Sequence, residues 1–146
     1  MSILKVKKLC PEARLPERAT EGSAGYDLYA LLDQPLTICP GELVRVHTGI
    51  AIALEDRFQV ALVYARSGLA SRHGVIPANC VGVIDSDYRG EIMVSLANIG
   101  TEAYTIEPME RIAQMVIAPV LLPSLQEVED LDETQRGSGG FGSTGK

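Results

Sequence analysis

The segment RGSGGFGSTGK, residues 136–146, combines groups that suit phosphate binding. Its glycines free the backbone to form an anion-binding nest, and Arg136, Ser143, Thr144 and Lys146 add hydrogen-bond donors. It is unlike a P-loop, because the preceding residues, LQEVEDLDET, are acidic and lack the apolar strand that a P-loop follows. A disordered Gly/Ser tail is the alternative, but Phe141 has no role in a fully solvated tail. We expect a flexible arm that lays an aromatic ring and donors over a phosphorylated ligand.

Two stretches upstream place charged residues beside strand-like runs. In AGYDLYA, residues 24–30, Asp27 interrupts an apolar run, and the alternative to a functional role is an Asp that satisfies local turn donors. In ARSGLA, residues 65–70, Arg66 and Ser67 stand where a strand leads into a short helix. Arg, Ser and helical N–H groups suit phosphate oxygens, although a Ser N-cap beside a surface Arg is equally common. The residues alone leave both pairs of alternatives open.

The stretch NCVGVIDSDYRGEI, residues 79–92, predicts a hairpin in which VGVID enters, SDYRG turns and EIMVSL returns. Asp85 stands where the entering strand meets the turn, Tyr88 lies at the tip, and Asn79 and Gly82 lie along the entry. In a purely structural alternative, Asp85 and Asp87 are turn formers and Tyr88 caps the core. The stretch is more specific in its residues than a turn alone requires.

The stretch ERIAQMVIAPV, residues 110–120, predicts a further strand. Arg111 and Gln114 are three positions apart, so strand alternation places them on opposite faces. Local geometry alone gives no reason for them to share a site.

The elements that must position these residues are mostly strands. ELVRVHTGIAIAL predicts one long strand, and its apolar face has period two: Val44, Val46, Thr48, Ile50, Ile52, Leu54. FQVALVYA repeats the pattern with Phe58, Val60, Leu62 and Tyr64, and the only helix candidate is one or two turns near SGLASRHG. Many short strands separated by turn residues predict an all-β, jelly-roll-like barrel or sandwich. We expect a domain over residues 1–125, followed by an acidic linker and the Gly-rich arm over 126–146.

Composition excludes several classes of function. The net charge of −6 argues against a nucleic-acid surface, which needs clustered Lys and Arg. The three cysteines and two histidines have no zinc or disulfide spacing, which favours a reduced, cytoplasmic setting. The longest apolar run, MVIAPVLL, is too short to span a bilayer, so no membrane partner is expected. A small anionic ligand remains compatible, because a few arginines can be focused into one cleft.

Taken in order, AGYDLYA, RSGLA, NCVGVIDSDYRGEI, ERIAQMVIAPV and RGSGGFGSTG closely resemble the five motifs of the trimeric dUTP pyrophosphatases (dUTPases). The match runs from Ala24 to Gly145. The resemblance implies a β jelly-roll homotrimer that hydrolyses dUTP to dUMP and pyrophosphate with Mg²⁺, with three sites between subunits, each closed by an arm. Such an activity keeps dUTP out of DNA and supplies dUMP for thymidylate synthesis.

The resemblance also implies a role for each matching residue. Asp85 matches the acid that activates water for attack on the α-phosphorus, and Tyr88 the ring that packs on deoxyribose and excludes a 2′-hydroxyl. Asn79 matches the uracil reader, and Phe141 the ring stacked on uracil. Asp27 matches an acid that reaches Mg²⁺ through water, the metal being held mainly by substrate phosphates. The remaining substrate-binding positions implied by the motifs are Arg66, Ser67, Gly68, Gly82, Val83, Ile84, Met93, Arg111, Gln114, Arg136, Gly142, Ser143 and Thr144.

Two departures and two rival functions accompany this resemblance. Ala65 stands where many relatives have Pro, and Met109 where Gly is frequent, which affects loop rigidity more than contacts with the ligand. The related dCTP deaminases share the fold, but they pair the Arg–Ser with a second Ser, and here Gly68 follows. A catalytically silent nucleotide-binding jelly-roll module is the other alternative, and it would need Asp85 or the arm to be missing.

Overall fold

The computed structural model describes residues 3–140, and this part of the chain forms eleven strands and one helix. Phe141, Gly142, Ser143 and Thr144, predicted to contact substrate, lie outside the described residues. The elements in chain order are β1 Lys5–Lys8, β2 Tyr26–Tyr29, β3 Leu36–Ile38, β4 Leu43–His47, β5 Ile50–Ala53, β6 Gln59–Tyr64, α1 Ser67–His73, β7 Val75–Pro77, β8 Gly82–Ile84, β9 Met93–Asn98, β10 Tyr104–Ile106 and β11 Arg111–Pro119. The predicted all-β, jelly-roll-like fold with one short helix is confirmed.

The strands form antiparallel sheets of four, three, two and two strands. The four-stranded sheet has the order β2-β11-β6-β8, and the three-stranded sheet has the order β4-β9-β7. β1 pairs with β5, and β10 pairs with β3. Side chains from both larger sheets fill one apolar core, in which the following residues are at most 1 % exposed: Leu28, Val46, Leu96, Ile112, Met115. β8 is an edge strand, so one side of its backbone has no partner strand within the described sheet.

The prediction of one long strand over ELVRVHTGIAIAL is wrong, because the chain turns between β4 and β5. Gly49 at the turn has a φ of 68°, a conformation that glycine adopts without strain. Alternation holds in β4, where Val46 is buried between exposed neighbours, but Ile50, Ala51 and Ile52 are all buried. Both faces of β5 are covered, so period two could not reveal the break.

The predicted buried face of FQVALVYA is also partly wrong. Phe58 precedes β6, is 50 % exposed, and donates its N–H to Oδ1 of Asp56 in a turn. The buried residues of the strand are Val60, Ala61 and Val63. Leu62 and Tyr64 are only half-buried and lie on the opposite sheet face from Val63.

The predicted hairpin over residues 79–92 does not form as a strand pair. β8 pairs with β6, whereas β9 pairs with β4 and β7, so the two strands belong to different sheets. The residues between them form a loop, and β9 begins only at Met93. The loop therefore bridges two sheets, which leaves room for a cavity between them.

The helix prediction is confirmed, and α1 is followed by the C-cap residue Gly74, whose φ is 67° and whose N–H donates to the carbonyl of Ala70. Beyond β11 the chain is extended, and every residue from 121 to 138 is exposed. Among the described residues, no helix has the length and apolar character needed to cross a membrane.

Candidate active site

Seven of the predicted site residues, six substrate contacts and the catalytic Asp85, line one cavity of about 270 Å³, hereafter the base cavity. It lies between β8, the loop that follows β8, and β9. The seven residues are Asn79, Gly82, Val83, Ile84, Asp85, Tyr88 and Met93. The cavity is close to the lower end of the range for small-molecule sites.

Asp85 is the first residue after β8, and its side chain is exposed to the base cavity. Its carbonyl accepts from the N–H of Tyr88 at 3.1 Å, which forms a tight turn. No ion pair within residues 3–140 engages the Asp85 carboxylate. Asp87 lies outside the cavity lining. Asp85 is therefore the carboxylate of this turn that is available to a ligand or a water molecule.

Tyr88 is 44 % exposed, and its hydroxyl donates to the carbonyl of Glu91 at 3.0 Å. The ring folds back over Gly90, where a Cβ would collide with the Tyr88 ring and hydroxyl. The absence of a side chain at Gly90 is thus a condition for this ring position.

The predicted phosphate contacts Arg66, Ser67 and Gln114 line a second cavity together with Asp27, hereafter the phosphate cavity, of about 360 Å³. Arg66 is the N-cap residue of α1, and no side chain caps the helix. The Ser N-cap alternative is therefore wrong, and the Ser67 side chain is not needed as a cap. Gly68 is exposed in the first turn of α1 but does not line the cavity.

Asp27 binds two arginines from different elements. Its Oδ1 accepts from Nε of Arg66 at 2.9 Å, and its Oδ2 accepts from Nη1 of Arg111 at 3.2 Å. The Asp27 side chain is 14 % exposed, so its charge is largely shielded from water. Asp27 therefore fixes two guanidinium groups next to the phosphate cavity.

A β-bulge in β11 brings Arg111 and Gln114 to the same side of the sheet. Arg111 pairs with Tyr29, Ala113 with Leu28 and Gln114 with Asp27, so β11 has one extra residue between Arg111 and Ala113. The bulge shifts the alternation by one position, and the expectation that Arg111 and Gln114 lie on opposite faces is therefore wrong. Gln114 also donates from Nε2 to the carbonyl of Ala65 at 2.9 Å, which ties it to the loop before Arg66.

The described part of the arm contributes Arg136, which is exposed and donates from Nε to the carbonyl of Gly139 at 2.8 Å. This bond closes a turn within the arm and makes no link to either cavity.

The base cavity and the phosphate cavity have no lining residue in common. Val63 lines the base cavity and Tyr64 the phosphate cavity, and consecutive residues of a strand point to opposite faces. One copy of the chain therefore has the base cavity and the phosphate cavity on different sides of its four-stranded sheet.

The sequence analysis missed Glu91 and His47. Glu91 lines the base cavity, and its Oε2 lies 2.9 Å from Nδ1 of His47. Burial opposes ionisation of Glu91, but the hydrogen bonds from His47 and from the N–H of Gly49 outweigh it, and the pKa of Glu91 lies below its ordinary value. Glu91 was assigned to the returning strand of a hairpin, and its 44-residue separation from His47 gave no local signal of this pair.

Known proteins are similar to this chain over nearly its whole length. The family model for dUTPase matches residues 11–145. A deoxyuridine 5'-triphosphate nucleotidohydrolase of Paraburkholderia phymatum is 52 % identical over 145 residues, which cover 98 % of each chain. One from Janthinobacterium is 51 % identical over 148 residues, with 100 % of this chain and 99 % of the relative covered.

Solved structures that are similar to this chain are also dUTPases. A mutant Staphylococcus bacteriophage 80alpha dUTPase with dUpNHpp superposes with a TM-score of 0.90 at 29 % identity, covering 100 % of both chains. A mutant dUTPase from phage phi11 of S. aureus, described with a structural Mg(II) ion, has a TM-score of 0.80 at 25 % identity and covers 90 % of this chain and 99 % of its own. With the family model, the relatives and the motif residues in agreement, the chain belongs to the dUTPase family.

Proposed function

We propose that this dUTP diphosphatase converts dUTP to dUMP and pyrophosphate by in-line attack of a water molecule that Asp85 activates. The observation that carries the proposal is the base cavity, where the Asp85 carboxylate lies beside the residues assigned to uracil and deoxyribose. A carboxylate within hydrogen-bond reach of a water molecule can take its proton as the water attacks phosphorus. Asp87 does not suit this role, because it lies outside the base cavity.

Uracil recognition follows from the edge position of β8. The strand pairs with β6 on one side only, so the N–H and C=O groups on its other side are free to bind an extended partner. Uracil presents two carbonyl acceptors and one N–H donor, which suit such an edge and the amide of Asn79. A pocket whose polar groups are left without partners by cytosine rejects it more strongly than any contact with apolar bulk could. Tyr88 stands against the sugar and leaves no space for a 2′-hydroxyl.

The triphosphate is held by the phosphate cavity together with the arm. Arg66, Ser67 and Gln114 supply donors, with Arg111 as a neighbouring charge. Arg136, Phe141, Ser143 and Thr144 complete the site when the arm closes, which excludes water from the phosphates. Asp27 keeps Arg66 and Arg111 in place, and it would contact a bound metal ion through water.

The donor set fits a metal ion that the substrate itself carries. Among residues 3–140, no group of three or more His, Cys, Asp or Glu side chains could hold a metal alone. Mg²⁺ usually keeps several waters and binds through substrate phosphates and one or two carboxylates, so Asp27 and dUTP together suffice. When bound, Mg²⁺ supplies neutralisation of the phosphate charge.

A homotrimer with shared sites explains why one chain separates the two cavities. A base cavity of one subunit can face the phosphate cavity of another, and a third can supply the arm. The exposed segment 121–131 agrees, since it carries apolar side chains that its own chain does not cover, among them Leu121, Leu125 and Leu131. Closed three-fold symmetry would then repeat the same site three times.

The acidic charge and the free thiols of Cys10, Cys39 and Cys80 support a cytoplasmic location and no nucleic-acid partner.

The rival functions have less support. A dCTP deaminase lacks the tyrosine that lines the base cavity here, and a silent binding module has no need of a free carboxylate at Asp85.

A product assay tests the proposal. With Mg²⁺, the protein should release dUMP and pyrophosphate from dUTP and leave dTTP, dCTP and UTP nearly unchanged. Ammonia from dCTP would support the deaminase instead, and dUDP with orthophosphate would reject attack on the α-phosphorus.

A further inference from the structure

Glu91 lines the base cavity and also contacts the turn between β4 and β5. Its carbonyl accepts the hydroxyl of Tyr88 at 3.0 Å, and its side chain, 21 % exposed, points away to the turn between β4 and β5. Glu91 thus connects the proposed sugar gate to a different sheet.

Four hydrogen bonds join residues 91–92 to residues 47–50, hereafter the β4–β5 corner. The Glu91 carboxylate accepts from the N–H of Gly49 at 2.8 Å and lies 2.9 Å from Nδ1 of His47. The next residue, Ile92, accepts from the hydroxyl of Thr48 and donates its N–H to the carbonyl of Ile50 at 2.8 Å. The end of the loop is therefore tied to the corner through both side chains and backbone.

The β4–β5 corner is mostly buried and closely packed, so it can hold the end of the loop in place. Thr48 is 2 % exposed, and Gly49 packs so closely that a Cβ there would lie 2.7 Å from side-chain atoms of Ala13 and Leu31. Real Cβ atoms essentially never approach other heavy atoms so closely, so the corner has no space to shift towards the core.

We propose that Glu91, held by His47 and Gly49, is a positioning residue that sets where the Tyr88 ring stands and thereby the discrimination between dUTP and UTP. The inference depends on the proposed role of Tyr88 as the sugar gate. Removing the carboxylate leaves the Glu91 backbone held only through Ile92, so the carbonyl that accepts from the Tyr88 hydroxyl is less firmly placed. A misplacement of about 1 Å can cost up to about 100-fold in rate.

The test compares Glu91→Ala, Glu91→Gln and His47→Ala with the matched control Glu42→Ala. Glu42 also accepts a backbone N–H, from Cys39 at 2.7 Å, but lies outside the base cavity. In Glu91→Ala the dUTP-to-UTP ratio of kcat/KM should fall roughly tenfold or more, and UTP should gain relative to dUTP through KM. Glu91→Gln should recover most of the ratio, because its amide can accept from Gly49 and donate to the other tautomer of His47. His47→Ala should give a smaller fall, and Glu42→Ala should leave the ratio unchanged.

A second measurement does not depend on activity. Hydrogen exchange of residues 85–92, followed by mass spectrometry, should accelerate in Glu91→Ala relative to the parent protein and to Glu42→Ala. If Glu91→Ala does not fold, the same comparison is made with His47→Ala and Glu91→Gln. Unchanged exchange of this loop, or a dUTP-to-UTP ratio within about twofold of the parent value, overturns the inference. A parent protein that does not hydrolyse dUTP, but whose loop exchange responds as expected, overturns the proposed function and not the positioning role.

Discussion

The Asp27 carboxylate and the Arg66 guanidinium are 2.9 Å apart and join β2 to the residue that precedes α1. Asp27 is 14 % exposed and Arg66 is 28 % exposed, so the pair is partly shielded from solvent and salt. The second arginine on Asp27, Arg111, makes the carboxylate the centre of a small charge network. The phosphate cavity is thereby built before any ligand arrives.

Replacing the carboxylate at the centre of this network should weaken both folding and binding. Asp27→Asn keeps the side-chain shape but leaves two arginines without their counter-charge, and we expect a loss of about 1–3 kcal/mol in the free energy of unfolding. The KM for dUTP should rise, because Arg66 is no longer held in the cavity. Chemical denaturation and steady-state kinetics measure both, with exposed Asp33→Asn as the control. Equal stability of Asp27→Asn and Asp33→Asn would contradict the network.

The two aspartates of the loop after β8 should differ sharply. Asp85→Asn removes the proposed base without changing shape, so kcat should fall by about 10²-fold or more, whereas nucleotide affinity should change little. Asp87→Asn should be mild, because that side chain lies outside the base cavity. Single-turnover kinetics and equilibrium binding of a non-hydrolysable dUTP analogue separate the two effects. If Asp87→Asn is the inactive variant, the assignment of the base is wrong.

Tyr88 should control sugar selection through its ring. Tyr88→Ala opens space for a 2′-hydroxyl, so dUTP turnover should fall and UTP should become a relatively better substrate. Tyr88→Phe keeps the ring and removes only the bond to the Glu91 carbonyl, so its dUTP-to-UTP ratio should fall less than that of Tyr88→Ala. The measurement is the dUTP-to-UTP ratio of kcat/KM, and a ratio that is unchanged in Tyr88→Ala would reject the gate.

Met109 has a φ of 63°, in the left-handed region that glycine adopts without strain. A non-glycine residue in this conformation costs roughly 1–2 kcal/mol. Met109→Gly relieves that strain but also loses side-chain packing, so its free energy of unfolding should stay within about 1 kcal/mol of the parent value. Met109→Val should be less stable by about 1–2 kcal/mol, because a β-branched side chain tolerates this region worst. Thermal unfolding of the two variants decides, and equal stability of both would show that the strain is absent.

Strand periodicity and turn residues predicted the fold class and the short helix, whereas the base-cavity positions were implied by the resemblance to the dUTPase motifs. Turn residues and strand alternation are encoded within a few positions of each other. Asp27 was singled out as an acid in an apolar run, but its two arginine partners come from residues 39 and 84 positions away. Pairing over such separations has no signature in a single sequence.

Three features of the structure could not be predicted from the sequence, each for a physical reason. The bulge between Arg111 and Ala113 changes the side on which Arg111 lies, and one inserted residue leaves no trace in hydrophobic periodicity. The break at Gly49 falls within a run whose two faces are both buried, so alternation could not mark it. Glu91 was hidden because an acid at the start of a strand is usually a solvated residue, and only the fold brings the β4–β5 corner against it.

We expect each active site to combine the base cavity of one chain with the phosphate cavity of another. Asp85→Asn and Arg66→Ala each disable one half, so each variant alone should be nearly inactive. The two variants are unfolded together in equal amounts and refolded. A site is then intact only if its base cavity comes from an Arg66→Ala chain and its phosphate cavity from an Asp85→Asn chain. Random assembly into closed trimers should then restore about a quarter of the sites, and of the parent kcat per chain. If activity stays near zero while native mass spectrometry shows mixed trimers, both cavities of a site belong to one chain and the account is contradicted.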